Sequence, residues 1–91
     1  MYKVIFDLVE NELWKLPPQI RTKLYAWAKM VEENGLYHAR TIKGFHDEPL
    51  QGKRQGQRSI RLNRSYRAIY IEKLDGSISI ILIIEVHKHE Y

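Results

Sequence analysis

Two histidines stand near the carboxyl end of the chain, shortly after its longest apolar run, Ile80–Ile84. If that run is a buried strand, alternation places His87 and His89 on the same face as Glu85. Lys88 would then lie on the opposite face. Histidine can give or take a proton near neutral pH, and the end of a rigid strand would hold it in place. The pair is a candidate acid–base site. A solvated polar tail and a zinc site completed by Glu85 are the alternatives.

Four arginines recur at intervals of three residues: Arg58, Arg61, Arg64 and Arg67. This spacing is not the period of a strand, so the four cannot share one face. Arg67 shares a face with the apolar Ile69, and Arg61 points away from the apolar side of its own strand. A guanidinium in such surroundings needs a phosphate or a carboxylate as partner. We therefore expect Arg61 and Arg67 to be functional, and we favour ordinary surface positions for Arg58 and Arg64.

The positive charge is concentrated in one segment of the chain. Of the 15 basic and 11 acidic side chains, which give a net charge of +4, residues 40–73 carry nine and three. A local basic segment in a small domain is typical of proteins that bind nucleic acid. Between Gly52 and Gly56 it forms a basic loop suited to a phosphate backbone. The candidate RNA-binding residues are Lys53, Arg54, Arg58 and Lys88.

Hydrophobic periodicity predicts the elements that position these residues. One apolar face recurs at helical spacing before Gly35, a helix-ending signal, and Asp75-Gly76 is typical of a hairpin turn. The predicted order is a strand over 2–8, a short helical turn within 10–16, a helix over 18–34, mostly loop over 36–56, and strands over 58–62, 66–72 and 78–87.

This order predicts an α+β fold in which an N-terminal strand and one or two helices precede a three-stranded antiparallel meander. The length of 91 residues suits one domain over residues 1–91. The absence of cysteine excludes a disulfide framework and a cysteine-based zinc site. Neither a signal peptide nor a membrane-spanning run is recognisable, so we expect a cytoplasmic protein.

Three stretches of the second half closely resemble the RelE superfamily of toxins from type II toxin–antitoxin systems. They are Glu48–Gly52 (EPLQG), Arg58–Asn63 (RSIRLN) and Tyr66–Tyr70 (YRAIY). The YoeB branch matches this region without a gap, and the HigB and RelE branches share parts of it. The resemblance covers residues 48–91, whereas the first half is similar in layout only. It implies the RelE-like microbial ribonuclease fold.

Toxins of this kind cleave messenger RNA, usually in the decoding site of the ribosome, with no metal or other cofactor. The ribose 2′-hydroxyl attacks the adjacent phosphate and leaves a cyclic phosphate and a free 5′-hydroxyl. The resemblance implies that Glu48 is the general base, that Arg67 contacts the scissile phosphate and that Arg61 replaces a catalytic lysine. It also implies a cognate antitoxin as protein partner.

The chain departs from the family pattern at two places. Ser59 stands where RelE has a further lysine, which leaves the role of base to Glu48 or to His46. His89 and Tyr91 resemble the terminal His-Tyr pair of YoeB, but one residue is inserted between them. The role of Tyr91 is therefore open. We favour His89 as the general acid, with His87 as a second proton shuttle or a phosphate contact.

Three other functions fit parts of the pattern. ParE-like toxins resemble RelE but inhibit DNA gyrase without nuclease chemistry, and a non-catalytic RNA-binding domain would keep the basic segment alone. An antitoxin or transcription factor is disfavoured because no helix-turn-helix is recognisable. Only a nuclease needs the terminal histidines together with Arg67.

Overall fold

A computed structural model describes residues 1–88 of the chain. Three α-helices and five strands are joined by 3₁₀ helices at Asp7–Val9, Lys43–Phe45 and Gly52–Arg54. The helices are α1 (Glu10–Leu13), α2 (Pro18–Asn34) and α3 (Leu36–Arg40), and the strands are β1 (Tyr2–Ile5), β2 (Glu48–Pro49), β3 (Arg58–Arg61), β4 (Tyr66–Asp75) and β5 (Ile78–Lys88).

Helix α2 has the bounds that the sequence predicts. Pro18 occupies the first helical position, where its missing N–H costs nothing. Gly35 ends the helix with a φ of 94°, a left-handed conformation that favours glycine. The predicted apolar face is fully buried at Leu24, Trp27 and Val31. Burial of each such side chain contributes roughly 1.5–3 kcal/mol to the free energy of folding.

The five strands form one sheet in the order β1-β5-β4-β3-β2. β1 runs parallel to β5, and every other neighbouring pair is antiparallel. β4 and β5 continue to a two-residue connection, Gly76-Ser77, in which Gly76 has a φ of 62°. The hairpin turn is therefore shorter than the gap between the predicted strands 66–72 and 78–87, because β4 continues to Asp75.

The helices pack on one face of this sheet, so the predicted α+β fold is confirmed. The core joins Leu24, Trp27 and Val31 of α2 to Ile60 of β3 and Ile83 of β5, all of them buried. We call the other face, which has no helical layer, the open face. No helix within residues 1–88 is long and apolar enough to cross a membrane.

A β-bulge interrupts the pairing of β4 with β5. Tyr70 pairs with Ile83, but the preceding residue of β4, Ile69, pairs with Glu85. Ile84 is therefore an extra residue on β5. Bulges of this kind are frequent beside active sites, where they redirect side chains.

The bulge determines which side chains at the end of β5 face the core and which lie on the open face. Ile81 and Ile83 both point into the core. With strict alternation Glu85 and His87 would follow them there. Because of the extra residue, Val86 enters the core and Glu85 and His87 turn to the open face.

The segment from residue 36 to residue 56 is more ordered than predicted. It contains α3, two 3₁₀ helices and the edge strand β2, where the sequence predicts mostly loop. β2 is only two residues long and includes Pro49, so its periodicity cannot be read from the sequence. Pairing with β3 creates it.

Candidate active site

The strand registers align chemistry-bearing side chains on the open face. In one row across the sheet, Arg61 of β3 is opposite Arg67 of β4, and Arg67 is opposite His87 of β5. In the next row Glu48, Ser59, Ile69 and Glu85 stand side by side on four strands. Three of the residues to which the resemblance assigns a role, Glu48, Arg61 and Arg67, thus come together with His87.

A groove of about 420 Å³ opens over these rows. Ile69, only 4% exposed, also lines it. The basic loop between β2 and β3 contributes Arg54 to its wall. The residues that line the groove, and by which we define it, are Glu48, Leu50, Arg54, Ser59, Arg67, Ile69 and His87.

Arg67 is the most enclosed cation of the groove, with 15% of its side chain exposed. Its Nη1 donates a hydrogen bond to the Ser59 hydroxyl at 3.2 Å. The same nitrogen lies 3.6 Å from Glu48 Oε1. These contacts orient the guanidinium and leave it facing a space large enough for a phosphate.

Arg61 and Arg67 are directly opposite each other on neighbouring strands of this face. Cβ atoms at such positions are about 5 Å apart, and like charges there repel. Within residues 1–88, Arg61 makes no ion pair that would relieve this repulsion. An anion bound between the two guanidinium groups would relieve it.

Glu48 contacts a histidine as well as Arg67. His46 Nε2 is 3.3 Å from Glu48 Oε2, and about half of each side chain is exposed. Solvent access suits a group that must reach a substrate and exchange protons. Glu48 and His46, the two candidates for the general base, therefore lie side by side. The Glu48 carboxylate is the one that contacts Arg67.

Between these two residues, the side chain of Asp47 is fully buried on the helical side of the sheet. Its Oδ1 accepts a hydrogen bond from Arg58 Nε at 2.6 Å, and its Oδ2 accepts one from the Tyr70 hydroxyl at 2.6 Å. Arg40 Nε in turn donates to the Tyr70 oxygen at 3.4 Å. We call these four residues, Arg40, Asp47, Arg58 and Tyr70, the Asp47 cluster.

Burial raises the pKa of Tyr70 well above its ordinary value, and the hydrogen bond to Asp47 raises it further. The hydroxyl therefore keeps its proton and remains a donor throughout the physiological pH range.

The expectations for Arg58 are corrected by this arrangement. The guanidinium, 24% exposed, is neither an ordinary surface group nor turned toward the groove, because it neutralises the buried Asp47. Sequence periodicity could not reveal this, since the partner carboxylate lies 11 residues away in a segment without a readable pattern. We do not retain Arg58 as an RNA contact.

Arg58→Ala should lower the free energy of unfolding by about 3 kcal/mol, because it leaves the Asp47 carboxylate buried without its cation. Arg64→Ala is the matched control. Arg64 is exposed in the turn between β3 and β4, and its loss should change stability by no more than about 0.5 kcal/mol. Urea unfolding of the two variants beside the wild type measures both values. Equal stability of the two would show that the ion pair contributes nothing.

The remaining basic candidates are Arg54 and Lys53 in the loop between β2 and β3, and Lys88 at the end of β5. Arg54 pairs with Glu85 across the groove and also donates to the side chain of Gln57 at 2.8 Å. Lys53 is exposed in the same loop. Lys88 is exposed as well, but it pairs with Tyr66, which packs against the core, so it lies on the face opposite the groove and we do not retain it as an RNA contact there.

The terminal candidates can be placed only in part. His87 Nε2 lies 3.8 Å from Glu85 Oε1, so the carboxylate can orient the imidazole. His89 and Tyr91 lie outside the described residues. Within residues 1–88, no three His, Asp or Glu side chains gather as a metal-ligand set.

Reasoning from the sequence did not identify two residues that contribute to the site. Ser59, 2% exposed, holds Arg67, and Asp47 anchors the segment that carries Glu48. The serine is noticed in the sequence only as the replacement of a lysine. Its role depends on β3 lying beside β4.

Comparison with solved structures gives the fold a name. The YoeB/ParE toxin from Agrobacterium tumefaciens superposes with a TM-score of 0.71 at 20% sequence identity, over 97% of this chain and 99% of that chain. The chain has the RelE-like fold. The toxin–antitoxin complex RelBE2 from Mycobacterium tuberculosis is also similar, with a TM-score of 0.65, 23% identity and coverage of 97% and 98%. For the YoeB–YefM complex from Staphylococcus aureus the values are 0.66, 19%, 99% and 99%.

These neighbours are toxins of the RelE/ParE superfamily from toxin–antitoxin systems. Their RelE-like fold extends over nearly the whole of this chain, including the first half, where the sequence is similar in layout only. No protein-family model matches the sequence. No curated protein matches it significantly.

Proposed function

We propose that this protein is the toxin of a type II toxin–antitoxin module and that it is an endoribonuclease. Its substrate is messenger RNA on the ribosome, which it cleaves without a metal ion. The proposal rests on the chemistry of the groove, and the RelE-like fold shared with known toxins supports it.

The observation that carries the proposal is the row formed by Arg61, Arg67 and His87 next to Glu48. Arg61 and Arg67 occupy directly opposite positions; within residues 1–88 Arg61 has no ion pair and Arg67 has only the 3.6 Å contact to Glu48, so the two suit one phosphate. Opposite charges near a phosphate stabilise the dianionic phosphorane more than the ground state. A carboxylate 3.6 Å from Arg67 can take up a proton beside that phosphate.

The reaction expected of this arrangement is an internal transfer. Glu48 takes the proton of the ribose 2′-hydroxyl while the oxygen attacks phosphorus, and Arg61 and Arg67 bind the non-bridging oxygens. The bond from phosphorus to the 5′-oxygen breaks, and a histidine, His89 or His87, protonates the leaving oxygen. The products are a 2′,3′-cyclic phosphate and a 5′-hydroxyl.

The proposal includes three partners: messenger RNA, the ribosome and an antitoxin. An open basic groove would bind RNA in general, so the ribosome would supply the orientation of the messenger, worth up to roughly 7–11 kcal/mol. Structures of similar toxins were determined as toxin–antitoxin complexes. We therefore include a cognate antitoxin in the proposal.

Induced expression in a bacterial host tests the function. Growth and primer extension on one abundant transcript are followed for the wild type, His89→Ala and His87→Ala. We expect growth arrest with new 5′ ends in the coding frame for the wild type. His89→Ala should reduce cleavage about 10²–10⁴-fold if His89 is the general acid.

The other outcomes discriminate among the alternatives. Full cleavage by His89→Ala with loss in His87→Ala moves the acid role to His87. Growth arrest without transcript cleavage favours a ParE-like inhibitor of DNA gyrase, and purified gyrase then provides the direct assay. Normal growth with RNA binding in vitro favours a non-catalytic RNA-binding domain.

A further inference from the structure

The segment that carries Glu48 is attached to the sheet by a short ladder, in which two residues pair with β3 and the Leu50 N–H donates to the Gln57 carbonyl at 2.9 Å. β2 is an edge strand of two residues, and one of them is Pro49, which has no N–H to donate. Glu48 is about half exposed, and its contact with the equally exposed His46 is a surface pair, of a kind that contributes only about 0–1 kcal/mol; Arg67 is its more enclosed partner.

The backbone just before Glu48 is nevertheless held in an unusual conformation. His46 ends the 3₁₀ helix Lys43–Phe45 with a φ of 46°, in the left-handed region. For a residue with a Cβ this costs roughly 1–2 kcal/mol. Such a conformation persists only when the surrounding structure holds it.

The side chain of Asp47 is in a position to provide that hold. Both carboxylate oxygens accept hydrogen bonds of 2.6 Å, one from Arg58 on β3 and one from Tyr70 on β4. A buried carboxylate is tolerated only with such partners, so moving Asp47 away from them would be costly. Neighbouring residues of an extended chain point to opposite sides. Fixing Asp47 on the helical side therefore presents Glu48 to the groove.

We propose that Asp47 is the positioning residue for Glu48: the Asp47 cluster fixes the segment 46–50 so that the Glu48 carboxylate meets Arg67. The catalytic part of this inference rests on the proposed ribonuclease function, whereas the ordering of the segment does not. Asp47 touches no substrate and acts only through Glu48. A displacement of about 1 Å at a reacting group can reduce the rate about 10²-fold, so the cluster is needed for full activity.

Tyr70→Phe is the variant that tests the proposal, because it removes one hydrogen bond to Asp47 and leaves the aromatic ring against Trp27. Asp47→Asn would leave the partly buried Arg58 without its counter-ion and endanger folding. Tyr66→Phe is the matched control. Tyr66 lies on the same strand and the same face, partly buried against the core.

Cleavage of RNA on purified ribosomes is measured for both variants, alone and combined with Glu48→Gln. Tyr70→Phe should lower kcat by about 10-fold and leave KM unchanged, since the groove still binds RNA. In the Glu48→Gln background, Tyr70→Phe should not lower kcat further, because it acts only by positioning the Glu48 carboxylate. Tyr66→Phe should match the wild type. An equal loss with and without Glu48 would overturn the positioning role.

Amide hydrogen exchange tests the ordering without any activity. Tyr70→Phe should exchange faster than the wild type and Tyr66→Phe at residues 46–50, with unchanged protection of α2. If the wild type fails to cleave RNA, the proposed function is wrong, but the exchange result still decides about the cluster. Unchanged exchange at residues 46–50 in Tyr70→Phe would overturn the inference.

Discussion

Replacing Arg67 by alanine should reduce RNA cleavage by about 10²–10³-fold. The guanidinium is the most enclosed cation of the groove, and it is oriented by Ser59 and Glu48. Loss of one oriented donor to a developing charge costs roughly this factor in other enzymes. Single-turnover cleavage on purified ribosomes measures it. Growth arrest on induced expression should be lost in parallel.

The same substitution should have little effect on folding. Arg67 lies opposite Arg61, so its removal relieves a repulsion while it gives up a weak ion pair and one hydrogen bond. The melting temperature should therefore stay within a few degrees of that of the wild type, which separates a catalytic defect from unfolding. Functional groups that repel one another are a common reason why stability and activity conflict.

Arg64→Ala is the control for charge alone. Arg64 is exposed in the turn between β3 and β4, and no ion pair within residues 1–88 involves it. Its loss removes the same positive charge and should leave cleavage nearly unchanged. Full toxicity of Arg67→Ala, or an equal defect in both variants, would contradict the role given to Arg67.

Glu48→Gln should reduce cleavage by about 10²–10⁴-fold, the usual contribution of a general base. The amide keeps the size of the side chain and cannot accept the 2′-hydroxyl proton. Single-turnover cleavage on purified ribosomes measures the loss. Glu33→Gln on α2, an exposed site far from the groove in sequence, is the control for the loss of one negative charge.

Substitution of His46 distinguishes between the two candidates for the general base. Its ring nitrogen is 3.3 Å from the Glu48 carboxylate, so either residue could receive the proton. With Glu48 as base, His46→Ala should retain most of the activity. Full activity of Glu48→Gln together with loss in His46→Ala would transfer the role to the histidine.

Much of the fold could be predicted because its signals are local. The apolar residues of α2 repeat every third or fourth position, and proline and glycine mark its two ends. The strands β3, β4 and β5 show β-forming residues and a turn signal close together in sequence. α3 and β2 were missed because each is too short for a repeat. Their stability comes from packing and pairing with distant residues.

The roles of the arginines show where local reasoning fails. Alternation within β3 and β4 correctly turns Arg61 and Arg67 away from the core, since neighbouring residues fix that direction. For Arg58 the same alternation points to the side of Ile60, but the sequence shows no partner there, so reasoning from the sequence treats Arg58 as an ordinary surface group; the partner is Asp47, 11 residues earlier. An ion pair between separate segments is a property of their packing.

The sequence by itself determined the α+β order of elements, the basic segment and the residue types that could cleave RNA. Only the tertiary structure decided that Glu48, Arg61, Arg67 and His87 share one face of the sheet. The extra residue Ile84 turns Glu85 and His87 out of the core, and the buried Asp47 turns Glu48 toward Arg67. Both outcomes depend on the strand register, which is set by contacts among residues far apart in the chain.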